Sequence, residues 1–211
     1  MAPEAILFDL DGTLVDSRRD LAASVNLALR ELALPERPAE EIFGFIGEGA
    51  RRLLERSVAP RLEALEPALA AWSRHYSEHL LDTTRPYPGV AGLLDRLRPP
   101  LAVHTNKPGD FARRILDGLG LAPRFAQVVG GGDGPARKPD PEGARAILAR
   151  LGVAPDRAVY VGDSHIDVAT AHAAGLRFVG VAWGLGGEAR LRDAGASEIV
   201  STSEELRRAL C

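Results

Sequence analysis

Cysteine and lysine are nearly absent from this chain. The single cysteine, Cys211, excludes an intramolecular disulfide and is a poor candidate for a nucleophile, which points to a reducing, cytoplasmic setting. Of 26 basic residues only Lys107 and Lys138 are lysines, and each is followed by proline. Arginine takes the other basic positions. A surviving lysine is then either a chance remainder or a site that needs a compact ammonium rather than a planar fork. Aromatic residues make up 5% and the formal charge is −3, so neither a basic face nor a set of stacking rings is available to hold nucleic acid. No apolar run approaches the roughly 20 residues of a membrane span. Met1-Ala2-Pro3-Glu4 lacks the basic start of a secretory leader, and none is expected.

What is present is an ordinary globular composition, with 45% hydrophobic and 26% charged residues over 211 positions. That length suits one large domain or a core with a smaller insertion. Short apolar runs predict strands at Ala5–Phe8, Leu101–His104, Ala126–Gly130, Val159–Gly162 and Phe178–Ala182, with a weaker one at Glu198–Val200. Three- and four-residue apolar spacing predicts helices at Val90–Leu97, Phe111–Leu119 and Gly143–Leu151. Asp140-Pro141 reads as a helix start, Gly120, Gly152 and Gly175 as helix ends, and Thr202-x-x-Glu205 as a capping box. Alternating strands and helices imply an α/β, Rossmann-like parallel sheet with helices on both faces, whose ligands sit at the carboxyl ends of the strands.

About ninety residues separate the first two strands, far beyond an ordinary connection. Helical patterns at Leu21–Leu34, Ala50–Val58 and Leu62–Leu81 fill that interval. It reads as an inserted helical subdomain, 16–82, within a discontinuous core of 1–15 and 83–211. Arg85-Pro86-Tyr87-Pro88-Gly89 is the return hinge. The glycines of Gly130-Gly131-Gly132-Asp133-Gly134 lack phosphate-loop spacing and predict a mobile loop.

Four polar segments end or follow strands and so share one rim. In Asp9-Leu10-Asp11-Gly12-Thr13 the two aspartates lie on one face of an extended chain. Like charges so close need a shared proton, a lysine or a hard cation. Thr105-Asn106 presents a hydroxyl, a backbone N–H and an amide, suited to a phosphate or to a capped turn. Lys138, before Pro139, is a solvated turn lysine or a charge aimed at the rim. Asp163 and Asp167 in Gly162-Asp163-Ser164-His165-Ile166-Asp167 cap the next helix or complete an oxygen-rich cation site. As one set they describe phosphoryl transfer. Carboxylates around an open position suit Mg²⁺, a lysine neutralises the phosphoryl group, Asp9 attacks phosphorus and Asp11 moves the proton.

Together these four segments resemble the signature motifs of the haloacid dehalogenase superfamily, along the whole chain, and its phosphatase branch carries the second aspartate. The resemblance implies Asp9 as nucleophile, Asp11 as acid/base, and Thr105 and Lys138 as holders of the phosphoryl group, with further phosphate contacts at Leu10 and Asn106. It implies Mg²⁺ on Asp9, the Asp11 carbonyl and Asp163, supported by Ser164 and Asp167. The helical insertion resembles the family's class 1 cap. Phe45–Arg51, Thr84–Val90 and Thr105–Pro108 further resemble phosphoglycolate phosphatases, in which the cap loop, here Gly47, Glu48, Gly49 and Arg51, faces the substrate. A Glu48 carboxylate beside an anionic substrate needs an offset from Arg51 or Arg52. The expected activity is Mg²⁺-dependent hydrolysis of a small phosphorylated metabolite, 2-phosphoglycolate first. Sugar phosphates, pyrophosphate, a phosphosugar mutase and a receiver-type signalling module are the alternatives. A monomer or homodimer is expected, with no nucleic-acid or membrane partner.

Overall fold

A computed structural model of the protein describes residues 2–134 and 136–211; Met1 and Pro135 lie outside the described residues. Its core is a parallel sheet of six strands, β1 (Ala5–Phe8), β4 (Leu101–Pro108), β5 (Phe125–Gly131), β6 (Ala158–Gly162), β7 (Arg177–Val181) and β8 (Ile199–Val200). Their spatial order is β5-β4-β1-β6-β7-β8. The first strand is therefore central, flanked in parallel by β4 and β6, with Phe8 level with Val103 and Val161. Every residue of β1 is buried, as a strand covered on both faces requires.

One layer of buried side chains, including Leu7, Tyr160 and Ile147, packs α7 (Glu142–Leu151) and α8 (His165–Ala174) on one face of the sheet. On the other face, Ile6, Phe8 and Val161 belong to a larger cluster. It takes in α5 (Val90–Leu94), α6 (Gly109–Gly118) and α10 (Ser203–Leu210). The same cluster runs without a break into the helices of the insertion, α1 (Arg18–Glu31), α2 (Ala39–Phe43), α3 (Ala50–Val58) and α4 (Leu65–Glu78). The remaining helix, α9 (Gly187–Asp193), follows β7. No described helix is long and apolar enough to cross a membrane.

Where the chain leaves and re-enters the core, β2 (Val15–Asp16) and β3 (Arg85–Pro86) pair antiparallel. Asp20, buried at the start of α1, ties the junction. Its carboxylate accepts from Thr83 N–H and hydroxyl and from Thr84 N–H and hydroxyl, at 2.6–3.0 Å. A second tie is aromatic. Trp72 and Tyr76 of α4 stack at 5.1 Å, and Phe111 of α6 meets both edge-on at 5.7 and 5.2 Å.

Three expectations need correction. Gly130-Gly131 is not a mobile loop but the end of β5, where Gly131 pairs with Pro108. A Cβ on Gly130 would collide with the backbone of Gly109, so this glycine serves close packing. The second strand extends past His104 to Pro108, because residues 104–107 are all buried. The helix after Asp140 starts at Glu142, one residue beyond Pro141, with Asp140 Oδ1 accepting from Glu142 N–H. Gly152 and Gly175 do end their helices in the left-handed conformation.

Asp20 accepts four donors that a methyl group cannot satisfy. Asp20→Ala should lower stability by about 2–3 kcal/mol in urea unfolding. These hydrogen bonds hold the carboxyl below its usual range despite burial. Its contribution is therefore present above about pH 4 and lost as pH falls below that value. The wild-type and variant curves should converge on acidification.

Candidate active site

The carboxyl end of β1 delivers Asp9 to the middle of the rim, and the turn after it brings Gly12 against the end of β6. A Cβ at Gly12, whose φ is +89°, would collide with the Asp163 carboxylate. Only glycine allows the two acidic strand ends to approach so closely. Asp163 Oδ2 accepts from the backbone N–H groups of Leu185, at 2.7 Å, and Gly186. Asp167 lies one turn into α8, where it completes a reciprocal cap with Ser164. Of the two readings of this segment the helix cap is observed, with Ser164 rather than Asp163 as the cap residue.

Three carboxylates meet here. One oxygen from each of Asp9, Asp163 and Asp167 falls within 4.8 Å of the others, all three residues being buried. Against them stands one ammonium. Lys138 Nζ lies 2.7 Å from Asp9 Oδ1 and 2.7 Å from Asp167 Oδ1. Burial opposes its charge, yet Asp167 and Asp9 push its pKa well above the ordinary value, so it stays protonated. Lys138 and Ser164 thereby occupy Asp167. Asp9 and Asp163 remain undercompensated: burial, together with Asp167, pushes Asp9 to about 6 and Asp163 well above the usual carboxylate range. A buried all-oxygen set with excess negative charge fits a hard divalent cation.

Asp11 has a different environment. Its carboxylate accepts from Lys107 Nζ at 2.9 and 3.0 Å and from the Ser17 hydroxyl at 2.5 Å. The Lys107 ammonium also stands 4.8 Å from the centre of the Tyr76 ring, a cation–π contact with the inserted helix α4. Both flanking acids thus have their own lysine. Lys107 is not among the site residues expected from sequence; its rarity and its place within the Thr105–Pro108 segment are the signals that point to it.

Thr105 is buried beside Asp9 in the same cavity, its hydroxyl oxygen accepting from Lys107 N–H at 3.2 Å. Asn106 departs from expectation. Its two amide hydrogens go to the carbonyls of Gly47 and Lys138, both at 3.1 Å. It joins the loop at Gly47 to the loop at Lys138, leaving no amide hydrogen for a phosphate. Leu10 has its side chain wholly in the core, and its carbonyl accepts from Thr13, Leu14 and Val15. The offset for Glu48 is neither Arg51 nor Arg52. Glu48 pairs with Arg56 one helical turn further on, while Arg51 pairs with Glu66 and Arg52 with Glu55.

Two cavities open onto Asp9 and Asp11, with Ile46 and Gly47 of the cap loop in the wall of each. The one of about 410 Å³ is mostly apolar, lined by Leu21, Ala50, Leu53 and Trp72. The other, of about 600 Å³, adds Glu48, Asp163, Ser164, His165 and Arg190.

Residues 6–181 match the haloacid dehalogenase-like hydrolase family. The chain belongs to this family. It is 42% identical over 194 residues to a phosphoglycolate phosphatase of Rhodospirillum rubrum, which covers 86% of this chain and 80% of the relative. With the phosphoglycolate phosphatase of Escherichia coli K12 the identity is 36% over 204 residues, 85% of this chain and 81% of the relative. The fold superposes on a crystal structure described as a predicted phosphoglycolate phosphatase from Haemophilus somnus with a TM-score of 0.91, at 30% identity, covering 99% of this chain and 98% of that one. By family, fold and relatives the chain is a phosphoric monoester hydrolase of phosphoglycolate-phosphatase-like type.

Carboxyls whose pKa is raised on folding bind more protons folded than unfolded between about pH 4 and their folded value. In chelator, this site should therefore cost stability as pH rises through about 6, the value for Asp9. Asp163→Asn keeps an oxygen for Leu185 N–H and removes one buried charge. At pH 8 in chelator it should melt several degrees above the wild type, whereas a divalent cation should raise the melting temperature of the wild type alone.

Proposed function

We propose that this chain hydrolyses the phosphate monoester of a small anionic metabolite, 2-phosphoglycolate foremost, with Mg²⁺ and through an aspartyl-phosphate (acyl phosphate) intermediate on Asp9. The observation that carries the reading is the pairing of the two strand-end acids with different lysines, Asp9 with Lys138 and Asp11 with Lys107. It gives one acid a place beside the phosphoryl group and the other a place of its own within the same cavities. The curated relatives named phosphoglycolate phosphatase support the substrate.

Mg²⁺ would be held by Asp9, Asp163 and the Asp11 carbonyl, and when bound it supplies positive charge to the phosphoryl oxygens. The Lys138 ammonium, fixed by Asp167, offers a second positive group to those oxygens, and Thr105 a hydroxyl. An oxygen of Asp9 attacks phosphorus as the bond to the leaving oxygen breaks, and Asp11 gives that oxygen its proton. Asp11 then takes a proton from water as the water oxygen attacks phosphorus. Phosphate leaves and the Asp9 carboxylate is regenerated. Residues 16–82 act as the cap, with the Asn106–Gly47 hydrogen bond and the Tyr76–Lys107 contact as its fastenings to the core.

Asp9→Asn removes the nucleophile without changing shape. Turnover of 2-phosphoglycolate should fall by at least about 10³-fold while the circular dichroism spectrum is preserved. Near-normal turnover would remove Asp9 from the proposed role. Excess chelator should abolish wild-type activity and Mg²⁺ restore it; activity that persists in chelator would refute the metal requirement.

A further inference from the structure

The cap loop leaves an anionic substrate short of positive charge. Arg51, Arg52 and Arg56 are each engaged by a glutamate, and Lys107 and Lys138 are engaged by Asp11 and by Asp9 and Asp167. A phosphate monoester that also bears a carboxylate brings one more negative charge than the phosphoryl-binding groups address. The apolar cavity offers that carboxylate no unpaired cation, its charged walls being Asp9, Asp11 and the paired Lys107. The polar cavity, across Ile46 and Gly47, has two further nitrogen-bearing side chains, His165 and Arg190. Among the described residues neither is in an ion pair, whereas Arg192 on the same helix as Arg190 is tied to Glu188.

The position of Arg190 is set by the active site. The loop before α9 is clamped to Asp163 through Leu185 and Gly186 N–H. A Cβ at Gly186 would collide with the Asp163 carbonyl oxygen, so this backbone lies directly against the acidic strand end. Helix α9 starts at the next residue, and Arg190 falls in the last turn of this short helix. Its side chain is therefore carried by the helix that this loop opens, and it lines a cavity with Asp9 from outside residues 16–82.

We infer that Arg190, on the core side of the cleft, recognises the second anionic group of the substrate. This rests on the phosphatase reading and deepens it: the cap loop separates an apolar chamber from a charged one, and the carboxylate goes to the charged side. A planar fork suits a carboxylate through paired hydrogen bonds. Glu48, in the same wall but neutralised by Arg56, does not cancel it.

The test compares 2-phosphoglycolate with ethyl phosphate, which lacks the carboxylate, as substrates of wild-type enzyme and of Arg190→Ala and Arg190→Lys. The ratio of kcat/KM for 2-phosphoglycolate to that for ethyl phosphate should fall about tenfold or more in Arg190→Ala, through KM. Arg190→Lys should restore part of the ratio. An unchanged ratio in Arg190→Ala would overturn the assignment. A wild-type enzyme that turns over neither ester would instead overturn the proposed 2-phosphoglycolate substrate on which it rests. Loss on both esters in equal measure would mark Arg190 as structural and also overturn the assignment.

Discussion

Everything at this rim depends on holding three buried carboxylates together with too little positive charge. Asp9, Asp163 and Asp167 gather within 4.8 Å against a single ammonium, Lys138. Removing ionised groups from water is expensive unless they are paired. Lys138 satisfies Asp167 and one oxygen of Asp9, while two backbone N–H groups steady Asp163. The rest of the negative charge is what makes the place fit for a cation, whose charge could in turn meet phosphoryl oxygens. A site fully neutralised by its own side chains would have no such demand.

The same constraint shapes the surrounding backbone. Gly12 and the loop at Leu185–Gly186 are close-packed around Asp163, and the core strand end at Asn106 is bonded both to the lysine loop and to Gly47. The helices between β1 and β4 are thus fastened to the rim at the Gly47 backbone carbonyl and at the Tyr76 ring over Lys107. Between those points the chain leaves two differently lined cavities on Asp9. The proposed selection among phosphate esters then becomes a question of which chamber the leaving group prefers.

Much of this was legible in the chain. The strand at Ala5–Phe8 and the helix at Ala50–Val58 have the bounds expected from apolar pattern, and the parallel order brings the four polar segments to one end of the sheet. Pattern failed where a local rule was overridden by packing. Residues 104–107 look like a polar turn because His104, Asn106 and Lys107 are hydrophilic, yet each has a buried partner that allows the strand to continue. The five-residue helix at Ala39–Phe43, after Pro38, is too short to show a period. Pairings among surface arginines were beyond reach, since several glutamates near Arg51, Arg52 and Arg56 are equally plausible from spacing alone. Lys107 was visible as a rarity within the Thr105–Pro108 segment, but its partner 96 positions away needed the fold.

The central claim is that the acid paired with Lys138 is the one that takes up phosphorus. Its most direct measurement is acid quenching of wild-type enzyme during turnover of 2-phosphoglycolate, followed by peptide mass spectrometry to locate phosphate. The account predicts an acyl phosphate on Asp9. Phosphate found on any other residue, or no phosphoenzyme at any time during turnover, would contradict it.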